Sequence, residues 1–200
     1  MMETIDHIFY INLDHRTDRK QEIERELGNF GLSYERFPAI YNQQNGGVGC
    51  GYSHIEVLKL AKERGYKSVL VFEDDFTFLV DKKRFYEGLR ELAKIEYDVC
   101  MISYNLHESS DTDNPLFKKV KKAGTTSGYI VRSHYYDKLI DVWTRSMPYY
   151  LSTGMHWIYA IDVVWFPLQE QDNWVCFEPR MGKQRPSYSD CGNCFTDHGV

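Results

Sequence analysis

The stretch from Ser68 to Phe78, SVLVFEDDFTF, limits the fold more than any other part of the chain. Val69, Leu70, Val71 and Phe72 are apolar without alternation, the pattern of a strand covered on both faces, as in a parallel sheet. Glu73, Asp74 and Asp75 then stand at its carboxyl end. Adjacent carboxylates repel one another, and one buried without a partner either costs several kcal/mol or takes up a proton. The arrangement therefore calls for something positive beside the strand end. The plain alternative is that the acids cap a turn or lie in solvent beside Lys82, Lys83 and Arg84.

The rest of the chain alternates strands with helices. His7 to Leu13 reads as a first buried strand and Thr17 to Phe30 as an amphipathic helix, with Ile23, Leu27 and Phe30 on one face and Gly31 as a stop. Tyr34 to Ile40 reads as a short strand. The loop YNQQNGGVGCGY, Tyr41 to Tyr52, leads to a helix expected from Ser53, as its cap, to Arg64, with Ile55, Leu58 and Ala61 facing inward. Further on, Phe85 to Lys94 reads as helix, Tyr97 to Tyr104 and Ser127 to Ser133 as strands, and a Ser133-capped helix runs to about Trp143. Met147 to Trp174 shows no clean period. This order predicts an α/β single domain over residues 1–200 with a mostly parallel central sheet flanked by helices. Ligands of such sheets bind beyond the carboxyl ends of the strands. NLDHRTDR, Asn12 to Arg19, and the acidic triplet both fall there.

The net charge of −5 supplies no basic field for nucleic acid. No window approaches the roughly 18 apolar residues of a membrane span, and MMETIDHIFYINL is not a signal peptide, so the expected location is cytoplasmic. Five scattered cysteines are expected to be reduced thiols. Cys191 and Cys194 form one CxxC, with His198 after it and Cys176 upstream; without a second pair, free thiols or a local disulfide are favoured over a structural zinc.

Clustered carboxylate oxygens are the hard ligands preferred by magnesium or manganese, which keep positions open for phosphate oxygens. Such an ion would relieve the repulsion among Glu73, Asp74 and Asp75, and a bridged diphosphate would meet Arg16 and Arg19 if the first and third strands are neighbours.

FYINLDHRTDR, GVGCGYSHIEVLKLA and VLVFEDDF, in that order, resemble the signature blocks of glycosyltransferase family 25, the lipopolysaccharide galactosyltransferases and collagen hydroxylysine galactosyltransferases. TTSGYIVRSHYYDKLI and QRPSYSD resemble two later blocks, so the likeness covers most of residues 5 to 190. It implies a GT-A-type fold and a manganese-assisted inverting enzyme, with Mg2+ as the alternative ion. The nucleotide-sugar part would span about residues 1–105 and the acceptor side about 106–200. By the same resemblance, Asn12, Asp14, Arg16 and Arg19 bind nucleotide and diphosphate, joined by Gly49, Cys50, Ser53 and His54 of the second block. There the glycine allows close approach and the helix start turns towards phosphate. Glu73, Asp74 and Asp75 stand in for the DxD motif: Asp75 takes the metal, and Glu73 or Asp74 takes ribose or the metal through water. Val48 departs from the family's usual Glu, and the chain is shorter than most relatives, which leaves the acceptor open.

Inverting transfer needs a base for the acceptor hydroxyl. Asp162 is the first candidate and Asp190 the second; His198 or Asp197 is the candidate late metal ligand. His54 beside a helix start reads first as a packing or hydrogen-bonding group. Among Trp143, Tyr149, Tyr150, Trp157, Tyr159, Trp165 and Trp174, half or more are expected in the core and the remainder as a stacking platform for a sugar. Lys118 to Lys122, KKVKK, reads as a solvated strand or loop. The resulting expectation is a hexosyltransferase moving galactose or glucose from a UDP-sugar to a glycan or hydroxylysine-type acceptor. The alternatives are a non-catalytic glycosyltransferase-like binding domain and a metal-dependent nucleotidyltransferase or phosphoesterase. The last needs more acids at neighbouring strand ends, and YDVCMISY offers none after Met101.

Overall fold

The structure, a computed structural model, describes residues 5–190 and 194–197. In chain order the elements are β1 (His7–Asn12), α1 (Thr17–Phe30), β2 (Glu35–Pro38), α2 (Gly46–Glu63), β3 (Ser68–Glu73), β4 (Phe76–Phe78), α3 (Lys82–Leu92) and β5 (Val99–Met101). They continue as β6 (Asn105–Asp111), β7 (Phe117–Gly124), β8 (Gly128–Arg132), α4 (Tyr136–Thr153), α5 (His156–Tyr159), α6 (Ile161–Val164) and α7 (Phe166–Gln171). β9 (Trp174–Phe177), β10 (Gly182–Gln184), β11 (Ser187–Ser189) and β12 (Cys194–Thr196) close the chain.

Eight strands form the central sheet in the order β2-β1-β3-β8-β5-β9-β7-β6. β1 pairs in parallel with β2 and β3, and β5 with β9; β8 lies antiparallel between β3 and β5, and β7 antiparallel between β9 and β6. Only β8 and β7 are therefore reversed, and the other six strands of this sheet share one direction. The mostly parallel α/β sheet expected from the sequence is what forms. β4 pairs with β10, and β11 with β12, in two small hairpin-like sheets.

The unbroken apolar runs have a direct cause. Phe9, Ile11, Val69 and Val71 face one core, under α2 and α4, while Ile8, Tyr10, Leu70 and Phe72 face a second, under α1 and α3. Because successive side chains point to opposite faces, a strand covered on both sides has no polar face to show. Ile23, Leu27 and Phe30 of α1 are buried as their spacing requires, and Gly31 ends the helix at φ 67°. Among the described residues, no helix is long and apolar enough to cross a membrane.

Three helix starts differ from expectation. α2 begins at Gly46, with the Asn45 side chain accepting from the Val48 N–H, and Ser53 lies well inside it. The glycines that read as loop serve close packing instead: a Cβ on Gly49 would stand 2.4 Å from the Ile40 carbonyl oxygen, and one on Gly51 2.3 Å from Met147 Sδ. Ser53 Oγ donates to Gly49 O (2.7 Å) and accepts from Ile40 N (2.8 Å), fixing the segment that passes over the helix. Gly49→Ala gains about 1 kcal/mol of helix propensity but drives a methyl into backbone, an overpacking cost of about 1–3 kcal/mol. The expected net result is a lower melting temperature for Gly49→Ala in differential scanning calorimetry. An equal or higher one would show that the segment yields freely.

Ser133 opens a short 3-10 turn and makes no side-chain capping bond; α4 proper starts at Tyr136. α4 also outruns its expected end near Trp143, carrying Pro148 inside it, and stops at Gly154 in the left-handed conformation. α3 starts at Lys82, capped by Asp81 accepting from Arg84 N at 2.8 Å, earlier than Phe85. The KKVKK run lies on β7, with Val120 buried and its lysines half-buried or exposed.

Candidate active site

β1 and β3 are neighbours, so the residues following β1 and the acids ending β3 meet at one edge of the sheet. Asp74 is buried, with Oδ1 accepting from Arg19 Nη1 (2.8 Å) and Oδ2 from Asn12 Nδ2 (2.8 Å). Arg19 Nη1 also lies 3.3 Å from Asp75 Oδ2. Asp75 Oδ1 is buried without a hydrogen-bond partner among the described residues. Glu73 Oε1 accepts from Thr126 Oγ1 at 2.5 Å and lies 3.4 Å from His54 Nε2.

The electrostatics follow from this crowding. Burial, reinforced by the Glu73 and Asp74 charges and opposed by Arg19, pushes the Asp75 carboxyl up to about 7. Burial likewise raises Asp74 in spite of Arg19 and Asn12. Glu73 goes the other way: burial works against its charge, but His54 and the Thr126 hydroxyl outweigh it and hold the carboxyl below its usual range. Asp74 and Asp75 thus share Arg19 as their paired guanidinium, Glu73 rests on Thr126 and His54, and Asp75 Oδ1 remains buried and unsatisfied.

These residues open onto a cleft of 520 Å³. One wall carries Asn12, His15, Arg19 and the three acids; the other is the segment 39–45 with the first turn of α2, and Tyr150, His156, Gln184 and Asp190 complete the rim. The start of α2 therefore lines the same cleft as the acids, at Asn45 and Gly46 rather than at Ser53.

The residues singled out in the sequence divide accordingly. Asn12, Arg19, Cys50, Glu73, Asp74, Asp75 and Asp190 line the cleft. Gly49 and Ser53 stand behind its wall and shape it. Asp14 is mostly exposed and accepts from Arg36 Nη2 (2.6 Å), which also donates to the Asn12 carbonyl. Arg16 is held by Asp18, the Tyr188 carbonyl (3.0 Å) and Asp190. Asp190, also 3.2 Å from His15 Nε2, is kept below the usual carboxylate range by these partners despite partial burial. His54 is fully buried, with Nδ1 3.0 Å from Tyr129 Oη. Asp162 does not reach the cleft wall; its Oδ2 accepts from Thr125 N (3.1 Å), and burial, with the Glu73 charge, raises its pKa. Thr125 has φ 68°, a left-handed conformation that is costly for a β-branched residue. Asp162 and Gln184, which accepts from Thr125 Oγ1 (2.9 Å), hold it there, and Thr126 is aimed at Glu73 as a result.

His198 and Cys191 lie outside the described residues. Asp197 is not on the cleft wall, and Cys176 is buried in β9. Of the aromatic group, Trp143, Tyr150, Trp165 and Trp174 are buried, while Tyr149 and Trp157 are 59% and 61% exposed. Sequence reading missed Arg36, Thr126, His156 and Gln184, which converge only through tertiary folding. It also missed Arg185, whose backbone N–H and guanidinium bind the carbonyls of Asp75 and Asp74 (2.7 and 2.9 Å). Its one local signal was the QRPSYSD block.

The architecture is a GT-A-type fold. A solved glycosyltransferase involved in glycosylation of the major capsid of PBCV-1 superposes with a TM-score of 0.54, covering 94% of this chain and 95% of that one at 10% identity. In sequence, the chain is 26% identical over 143 residues to procollagen galactosyltransferase 1-B of Xenopus laevis, covering 56% of this chain. It is 29% identical over 102 residues to a glycosyltransferase 25 family member of Drosophila pseudoobscura pseudoobscura, covering 38%. The matches span only 23% and 16% of those relatives' lengths. The resemblance to glycosyltransferase family 25 read from the motifs is thus found again in the curated relatives. No family model matches the chain.

Proposed function

We propose that the chain transfers a hexose, galactose or glucose, from a UDP-sugar to a hydroxyl of a glycan or hydroxylysine-type acceptor, assisted by Mn2+ or Mg2+. The observation that carries this reading is the surplus of buried carboxylate at the end of β3, above all the unsatisfied Asp75 Oδ1, in a cleft that the first residues of α2 also line. A buried acceptor oxygen among like charges fits a hard divalent cation. Asp75 would hold it, with Glu73 as the second carboxylate; the ion would stabilise charge on the departing diphosphate.

The chain's own groups would do the rest. Asp74, with both oxygens bonded, fixes Arg19 and Asn12 at the cleft wall. Arg19 and the N–H groups opening α2 offer donors to diphosphate oxygens from two sides. The nucleotide would lie along the Asn12 and 39–45 walls, leaving the sugar near Tyr150 and His156, on the side built by the second half of the chain.

For the base, Asp162 fits better than Asp190 on its electrostatics; lying behind the cleft wall, it would take the acceptor proton through one bridging water. Burial, with the Glu73 charge, raises its pKa, which makes its carboxylate the better proton acceptor of the two. Asp190 is committed to Arg16 and His15 and holds its charge too firmly. Asp162→Asn is expected to lower kcat by about 10²–10⁴-fold while UDP affinity, read by calorimetry, stays within a few fold. Retained kcat would remove the role of base, and lost UDP binding would show that Asp162 acts only by holding the Thr125 turn.

A further inference from the structure

Behind the carboxylate cluster lies a second set of ligand-type atoms of different chemistry. Cys50 Sγ, one His54 ring nitrogen and a Glu73 carboxylate oxygen all lie within 4.8 Å of one another. Cys50 and His54 are four residues apart on α2, so they project from one face of the helix, and that face meets the end of β3. Cys50 and Glu73 line the cleft, while His54 is fully buried behind them.

The contact between His54 and Glu73 is the telling one. Nε2 and Oε1 are 3.4 Å apart, yet Nε2 is a buried atom with no hydrogen-bond partner among the described residues. A nitrogen and an oxygen bound to one tetrahedral zinc at about 2.0–2.1 Å stand about 3.3–3.4 Å from each other. The spacing is too long and too poorly aimed for a good hydrogen bond, and right for two corners of a coordination tetrahedron. Tyr129 Oη, 3.0 Å from Nδ1, is placed to accept the other ring proton when a metal ion takes the place of the Nε2 proton that faces Glu73. The Thr126 hydroxyl steadies the carboxylate in the same way.

We propose that Cys50, His54 and Glu73 form a binding site for a zinc-class divalent ion in the inner wall of the cleft, separate from the hard-cation position at Asp75 except for Glu73, which borders both. A thiolate and an imidazole select zinc or cadmium, whereas the all-oxygen cluster at Asp75 selects manganese or magnesium. Three protein ligands leave a fourth position, and it opens on the cleft.

The test uses Cd2+ and the ultraviolet thiolate-to-cadmium charge-transfer band. It is done on the chelator-treated full chain in a Cys191→Ser/Cys194→Ser background, so that the terminal CxxC contributes nothing. The site predicts a saturable band at one Cd2+ per chain, displaced by Zn2+ and not by Mg2+. Cys50→Ser abolishes it, Tyr129→Phe weakens Cd2+ binding about 10–100-fold, and Asp75→Asn leaves it intact. Glu73→Gln, which keeps shape and loses charge, weakens it at least about tenfold and decides the matter if Cys50→Ser does not fold by circular dichroism. A band that survives in Cys50→Ser, an unchanged affinity in Glu73→Gln, or no band in the folded background protein overturns the proposal. Because the readout is binding of Cd2+ and not transfer, this result is independent of the proposed transferase activity.

Discussion

Asp75→Asn is expected to make the metal-free protein more stable at neutral pH and to abolish its response to manganese. In the wild type, the folded-state pKa of Asp75 is raised from 3.8 to about 7, so the native state binds this proton more tightly than the unfolded chain does. A raised pKa gives stability that is full below about 4 and is lost as pH climbs through about 7. Asp74 and Asp162 shift in the same direction, and Glu73 opposes them. The metal-free wild type should therefore melt at progressively lower temperature between about pH 4 and pH 7, and Asp75→Asn should flatten that slope. A cation that binds only the folded form at a hundredfold excess over its Kd adds about 2.7 kcal/mol, which for a chain of this size is about 5–10 °C. That increment is expected in the wild type and absent in Asp75→Asn. A variant that keeps the full manganese shift would put the ion elsewhere. Stability sacrificed at a ligand site is the usual signature of a site built for something it must bind.

Trp143→Ala is expected to cost about 3–5 kcal/mol, lowering the melting temperature by about 6–20 °C. Trp143 is fully buried, with ring centroids 6.0 Å from His54, 6.4 Å from Tyr129 and 6.2 Å from Trp165, and its Nε1–H donates to the Ile161 carbonyl at 3.1 Å. Truncation leaves a large void and strands a buried acceptor, and relaxation around α2, α4 and β8 cannot fill it. Trp157, 61% exposed on α5, provides the contrast: Trp157→Ala should leave the melting temperature within about 1 °C. Similar losses in both variants, measured by differential scanning calorimetry, would mean that Trp143 is not the core anchor described.

That pair of tryptophans also shows where the sequence stops being legible. Runs buried on both sheet faces, such as Val69 to Phe72, announce themselves, and α1 shows its period and its Gly31 stop. Between Met147 and Trp174, Pro148 interrupts α4 and two helices of four residues are too short to show a period, so buried and exposed aromatics look alike. β6 is polar, largely exposed and bulged, and carries no apolar alternation to mark it. The start of α2 was hidden because Gly46, Gly47, Gly49 and Gly51 read as loop, when the last three are explained only by their neighbours Tyr150, Ile40 and Met147.

The site was legible to the same extent. Acids following a buried strand and basic residues following its neighbour are local patterns, and their meeting required only that β1 and β3 pair. The Arg19 pairing with Asp74 and Asp75 was foreseeable on that condition. Thr126, Gln184, Arg185 and His156 come from turns and strands far along the chain; the first three fall in the TTSGYIVRSHYYDKLI and QRPSYSD blocks, but nothing local marks their meeting with the acids. The strained Thr125 turn that aims Thr126 at Glu73 is visible only as a backbone angle.

Calorimetric titration of the chain with UDP, with and without Mn2+, measures the central claim most directly. The account predicts saturable one-to-one binding that depends on the ion and disappears in Asp75→Asn. Binding of equal strength in a chelator, or no heat with any uridine nucleotide at saturating Mn2+, would contradict it.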